Sequence, residues 1–147
     1  MNQELVSIVV CSYNSSKTIL QTLDSIRMQD YENIDLIITD DSSTDDTLKL
    51  CYDWGNRNRS RFNRIVILKG YRNLGIPANL NRGCRYVESK WIKIVAADDI
   101  LLPWTISELY GFAIKHNSYV VCSRILLFSQ DRDRYNLIKI LPKELPN

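Results

Sequence analysis

The chain has 147 residues, of which 45% are hydrophobic and 24% charged, with 19 Lys and Arg against 17 Asp and Glu. This composition predicts one domain, two at most, with a sizeable core, and it excludes a disordered segment and a general polyanion binder. No apolar run reaches the roughly 18–20 residues of a membrane span, and no basic stretch followed by an apolar one marks a secretory signal at Met1–Leu5. Cys11, Cys51, Cys84 and Cys122 form no CxxC pair and stand beside a single histidine, which argues against a zinc site and a disulfide framework. A soluble, reduced, cytoplasmic domain without a nucleic-acid partner is the expectation.

The β-branched run Val6 to Val10 reads as a strand buried on both faces. Ser12 to Ser16 breaks it, with either Ser15 or Ser16 suited to cap a helix over 17–29 whose stripe is Ile19, Leu23 and Ile26, widened by Leu20. Ile34 to Thr39 is the second strand. Ser42, Ser43 and Thr44 then form a cap cluster, and Asp45 and Asp46 suit the positive end of a helix that runs to about Trp54 and stops near Gly55. Arg64 to Lys69 is a third apolar run. After a turn at Gly70–Gly75, Pro77 opens a helix reaching about Glu88. Trp91 to Ala97 is the fourth strand, Pro103 opens a helix to about His116, and Tyr119 to Phe128 reads as a fifth, long strand. Such alternation predicts an α/β fold, a mostly parallel sheet with helices on both faces. Beyond Phe128 a polar run and a short apolar stretch, Leu137 to Leu141, followed by Pro142 and Pro146, read as a poorly anchored tail or the start of a further region, so the expected division is a domain over 1–128 and, over 129–147, a tail or the beginning of a missing acceptor region.

Charge is uneven along the chain. Asp30 to Asp46 holds seven acids and no base, whereas Asp53 to Asn73 holds six bases and one acid. The arginine run reads as a solvated face. The acid block differs, because Asp40 and Asp41 directly follow the second strand, as Asp98 and Asp99 follow the fourth. In open α/β sheets ligands bind beyond the carboxyl ends of the strands. One aspartate pair there reads as helix capping; two pairs on one edge, with Ser12, Tyr13 and Asn14 leaving the first strand, point to a ligand edge that needs a cation or donors between the carboxylates. No GxxxxGK[ST] segment, no GxGxxG after the first strand and no GxSxG elbow is present, which removes P-loop, dinucleotide-binding and serine-hydrolase readings.

Val6–Asn14, Leu36–Asp45, the segment from Asn73-Leu74-Gly75 to Asn81-Arg82-Gly83, and Ile94–Pro103 together resemble, in order, four motifs of the amino-terminal half of family 2 glycosyltransferases. The resemblance covers about Leu5 to Phe128. It implies a Rossmann-like GT-A sandwich that binds a nucleotide-diphosphate sugar, with a UDP-sugar favoured, and transfers the sugar with inversion to a saccharide or lipid-linked acceptor in bacterial polysaccharide synthesis, at the inner face of the membrane. By this resemblance Asp41 accepts the N3–H of uracil, Tyr13 lies against the base, Ser12 and Asn14 line the nucleoside, and Asp40, ranked below Asp41, either steers the loop or contacts the nucleoside. Asp99 holds Mn²⁺ or Mg²⁺, Asp98 sits nearer the ribose or sugar, and Arg72 adds positive charge. Cys11 stands where proline is common, Ala96 replaces the first acid of an Asp-x-Asp-Asp pattern, and Leu80 stands where many relatives carry an arginine near the sugar. The family's acceptor-binding part and catalytic base lie beyond the stretch matched, so the expected fold is truncated before the acceptor region, and neither Asp131 nor Asp133 has the spacing of a base. Self-association through an exposed sheet edge is a further expectation. A non-catalytic binding module and a receiver-like phosphoryl-transfer domain, which also places paired aspartates around Mg²⁺, are the rival readings.

Overall fold

The computed structural model of the chain describes residues 3–131 and 134–141. Its contacts divide after Ser107 into two units. The first holds β1 (Val6–Ser12), α1 (Ile19–Arg27), β2 (Ile34–Asp40), α2 (Thr47–Asn58), a 3₁₀ turn at Arg59–Arg61, β3 (Arg64–Lys69), α3 (Ile76–Cys84) and β4 (Trp91–Ala96). α4 (Thr105–His116) crosses the division and leads to β5 (Ile125–Asp131) and β6 (Arg134–Leu141).

The four strands of the first unit are parallel, in the order β3-β2-β1-β4. β1 and β2 are interior, which is why both read as unbroken apolar runs: Ile8, Val9, Val10, Leu36, Ile37 and Ile38 are all fully buried. The outer strands cover less, and on β4 the same-face pair Ile92 and Ile94 is half exposed. Helices cover both faces. On one side Gly55 of α2 packs against Ile65 and Ile67 of β3, where an added Cβ would lie 3.3 Å from Ile67 Cδ1. On the other, Gly83 of α3 lies so close to β1 and β2 that a Cβ would come within 2.7 Å of Val9 Cγ1 and 3.0 Å of Thr39 Cγ2. The two glycines therefore serve close approach of helix to sheet.

Several boundaries differ from the sequence expectation. α2 does not stop at Gly55 but passes through it to Asn58, because the contact with β3 outweighs the helix cost of a glycine, about 1 kcal/mol. α3 ends at Cys84 rather than Glu88; the chain turns there and Ser89 Oγ accepts Ser7 N–H at 3.0 Å, directing it into β4. Neither Ser15 nor Ser16 caps α1 with its side chain; the Ser15 carbonyl takes the N–H groups of Thr18 and Ile19.

In the second unit, α4 ends at Asn117 in the left-handed region (φ 50°), with Ser118 N–H returning to Ala113 O at 2.9 Å, a common helix stop. The expected strand from Tyr119 begins only at Ile125 and does not join the parallel sheet. β5 pairs antiparallel with β6, from Ile125 opposite Leu141 to Asp131 opposite Arg134. Residues 119–124 have β-branched character but no ladder partner, and β propensity without a partner does not make a strand. The apolar stretch expected within the tail is the partner strand β6. Asp133, Pro142 and Pro146 lie outside the described residues. Among the described residues no helix is long and apolar enough to cross a membrane.

Candidate functional site

The ladder continues past the strand ends. Ala97 N–H donates to Cys11 O (3.0 Å), Asp41 N–H to Ser12 O (2.9 Å) and Gly70 N–H to Asp40 O (2.8 Å). The loops leaving all four strands of the first unit therefore share one edge. After β3 the chain returns to the far side of β1 to form β4, so the order reverses between β1 and β4, where ligands of such sheets collect.

Asp40 is fully buried and its carboxylate is saturated by protein donors: Ser43 N–H at 2.9 Å, Ser12 Oγ at 3.2 Å and the Ser43 hydroxyl. Ser12 thus serves Asp40. Asn14, left-handed at φ 48°, donates its N–H to Ser43 Oγ (2.8 Å) and accepts Thr44 N–H on Oδ1 (2.8 Å). Asp45 completes the lacing by accepting Ser16 N–H and Thr47 N–H, both at 3.0 Å, along with the Thr47 hydroxyl. Burial alone would raise the Asp45 carboxyl; the bonds from Thr47 and Ser16 outweigh it and hold it at about 2. Two loops are thereby fastened into one platform, and Tyr13 stands on it 47% exposed.

Asp41 points to the opposite face of the sheet and is 2% exposed. Its Oδ2 accepts Leu74 N–H at 3.0 Å and Gly75 N–H at 2.7 Å. Gly75 is the N-cap of α3 at φ 83° and offers no side chain, so the carboxylate of β2 caps α3 from across the fold, where the helix dipole favours an anion. Asn79 pins the same helix: its Nδ2 donates to Thr39 O (3.0 Å) and Ser12 O (3.3 Å), and its Oδ1 accepts Thr39 Oγ1 (2.7 Å). Arg82 lies over Gly70, with Nε to Thr39 Oγ1 (3.1 Å) and Nη2 to Asp40 O (2.8 Å), to Asn79 Oδ1 and, at 3.5 Å, to Asp41 Oδ1.

Asp98 and Asp99 are exposed, and no hydrogen bond or ion pair to their carboxylates occurs among the described residues. The loop that follows them is nevertheless tied down. Leu101 N–H donates to Ser25 Oγ (3.1 Å), Gln29 Nε2 to Leu102 O (2.8 Å), Ile106 N–H to Gln29 Oε1 (3.1 Å) and Asp30 N–H to Pro103 O (2.8 Å). These are free acids on a fixed support. Arg72 is exposed on the turn between β3 and α3, beside the fully exposed Tyr71. Among the described residues no three His, Cys, Asp or Glu side chains form a metal-holding group.

The residues singled out by sequence thus separate. Ser12, Asn14 and Asp40 belong to the frame, Asp41 to the junction of β2 with α3, and Tyr13, Arg72, Asp98 and Asp99 present open side chains. Sequence reading gave no role to Asn79, Arg82, Ser25 or Gln29. Ser25 and Gln29 carried a signal, as polar residues next to the apolar stripe of α1; Arg82 carried one only as part of the Asn81-Arg82-Gly83 segment, with no role attached to its side chain.

The family described as "Glycosyl transferase family 2" matches residues 7–146. The chain is 35% identical over 109 residues to the Escherichia coli UDP-Glc:alpha-D-GlcNAc-diphosphoundecaprenol beta-1,3-glucosyltransferase WfaP, covering 74% of this chain and 41% of that protein. It is similar to Staphylococcus aureus TarS, solved as residues 1–349 with UDP-GlcNAc, at 27% identity and a TM-score of 0.68, over 77% of this chain and 32% of that one. The fold is also that of the mannosyltransferase PcManGT from Pyrobaculum calidifontis, solved with GDP-Man and Mn²⁺, at 23% identity and a TM-score of 0.67, over 78% and 32% of the two chains. The chain therefore spans less than half the length of these relatives, and the parallel sheet with its helices is the GT-A arrangement.

Proposed function

The chain belongs to glycosyl transferase family 2, and on that premise we propose that its strand-end site binds a nucleotide-diphosphate sugar, specifically a UDP-sugar, as the donor for glycosyl transfer. One observation carries the reading: a single sheet edge bears a buried carboxylate held by N–H donors, Asp41, and an exposed, unpartnered pair, Asp98 and Asp99. The first suits recognition of a base, the second a cation and phosphates.

Asp41 keeps Oδ1 to accept the N3–H of uracil, since an ionised carboxylate only accepts. Tyr13 supplies a half-exposed aromatic face for the base. Ser12, Asn14 and Asp40 hold the nucleoside side of the site in shape, Arg72 brings positive charge to the diphosphate, and Asp98 meets the ribose or the sugar. Asp99, with Asp98 beside it, would hold Mn²⁺ or Mg²⁺. Two hard oxygen donors without protein partners fit such an ion, which takes one or two carboxylates and fills its remaining positions with phosphate oxygens and water. When bound, the ion offsets the negative charge gathering on the departing diphosphate.

The transfer itself is an in-line displacement at the anomeric carbon by an acceptor hydroxyl, with inversion, and a lipid-linked saccharide at the inner face of the membrane is the proposed acceptor. The name of the E. coli relative, with its UDP-Glc donor and diphosphoundecaprenol-linked acceptor, supports that choice, and the S. aureus relative solved with UDP-GlcNAc supports the donor. We assign the proton-accepting base to no residue of this chain. The edge strand β4, with half-exposed Ile92 and Ile94, is the proposed surface for self-association. The metal assignment is tested by equilibrium dialysis of UDP against the wild type and Asp99→Ala, each with Mn²⁺ and with EDTA. Mn²⁺ should tighten binding to the wild type and leave the variant unchanged; an undiminished Mn²⁺ effect in Asp99→Ala overturns the assignment.

A further inference from the structure

We infer that Arg82 and Asp41 act together as a donor–acceptor pair that reads the keto-imide edge of the nucleobase, making Arg82 a specificity-determining residue of the proposed donor site. The inference rests on the reading of that site as nucleotide-binding.

Arg82 is held from several sides. Nε donates to Thr39 Oγ1, and Nη2 faces Asp40 O, Asn79 Oδ1 and Asp41 Oδ1. The guanidinium lies against Gly70, where a Cβ would come within 2.7 Å of Nη1. Any larger residue at 70 would displace it. Nη1 has no acceptor among the described residues, and the side chain is 23% exposed. An arginine fixed in this way loses little freedom on forming its next hydrogen bond. Beside it, Asp41 has Oδ2 closed by two backbone N–H groups and Oδ1 still able to accept.

The two open valences are thus an acceptor on Asp41 and a donor on Arg82, carried by groups already in contact. Uracil presents the complement, an N3–H flanked by carbonyl oxygens. Cytosine and adenine present a ring nitrogen lone pair and an amino group instead. Against those bases the carboxylate meets a lone pair and the guanidinium meets a donor, and both protein groups are left unsatisfied in a mostly buried place. The pair therefore selects keto bases against amino bases. It also gives α3 a polar contact at position 82 although Leu80 supplies none at 80.

The test measures the affinity of the whole chain, in Mn²⁺, for UDP, CDP and N3-methyl-UDP, using wild type, Arg82→Lys and Arg82→Met. Wild type should prefer UDP to both other nucleotides by about tenfold or more, the scale of one unsatisfied buried polar group. Arg82→Met should narrow the preference for UDP over CDP by weakening UDP while CDP stays within about twofold, with Asp41 keeping the remainder, and Arg82→Lys, which keeps the charge but not the fork, should fall between. If melting shows that Arg82→Met does not fold, the Lys variant and the N3-methyl nucleotide decide the matter. UDP and CDP weakening in parallel overturns the inference, because a structural or phosphate-binding arginine acts on both alike. So does a wild type that binds UDP and CDP equally. A wild type that binds no nucleotide is a separate failure, since it removes the donor site itself.

Discussion

Asp40 and Asp41 are chain neighbours with different duties because successive side chains along a strand face opposite sides of the sheet. Asp40 turns toward Ser12 and Ser43 and organises the loops; Asp41 turns toward Leu74, Gly75 and Arg82 and joins β2 to α3. Their presence at a strand end was legible, since the apolar run before them fixes where the strand stops. Their division of labour was legible only in part: steering of the loop was one of two roles expected of Asp40, but the partners that fix Asp41 lie 33 to 41 positions away in the chain. Asp45 allows a pH test of the loop platform. Its folded value, about 2, lies below its ordinary 3.8. A depressed carboxyl stabilises the fold fully above its unfolded value and loses that contribution as pH falls through the folded one. Asp45→Asn should therefore lower the melting temperature more at about pH 6 than at about pH 2.5. A gap between wild type and variant that stays the same at both pH values would contradict the role given to Asp45.

The strands show which elements announce themselves. β1 and β2 were readable almost to the residue because interior parallel strands must be apolar on both faces, and β3 matched because the run is bounded by Arg64 and Lys69. Helix ends were harder to place. Gly55 reads as a stop in isolation, yet its missing side chain is what lets α2 lie against Ile65 and Ile67. The Tyr119 to Phe128 run held only from Ile125 onward, for the opposite reason: its residues favour a strand, but pairing decides, and the partner of β5 includes the apolar stretch at 137–141. β4 was recognised as a strand but not as an edge. An edge strand with one ladder side unpaired among the described residues and a half-exposed apolar face is open to another chain. Light scattering should show a mass that rises with concentration, and Ile94→Lys should suppress the rise. A monomer at all concentrations would remove the self-association proposal.

Across the first unit, architecture and chemistry agree. A four-stranded parallel sheet with its order reversed between β1 and β4 brings a buried acid, an exposed pair of acids and an aromatic platform to one edge. The proposed glycosyl donor would meet a frame that is already formed: Asp40, Asn79, Gln29 and Asp45 hold the loops through protein hydrogen bonds, leaving Tyr13, Arg72, Asp98 and Asp99 open. A site organised in this way needs little rearrangement to bind. The most direct test is calorimetric titration of UDP into the purified chain, first with Mn²⁺ and then with EDTA. The proposed donor site predicts saturable binding with Mn²⁺ that is lost or sharply weakened by EDTA. Binding of equal strength in both conditions would contradict the role of Asp98 and Asp99, and no binding in either would contradict the site as a whole.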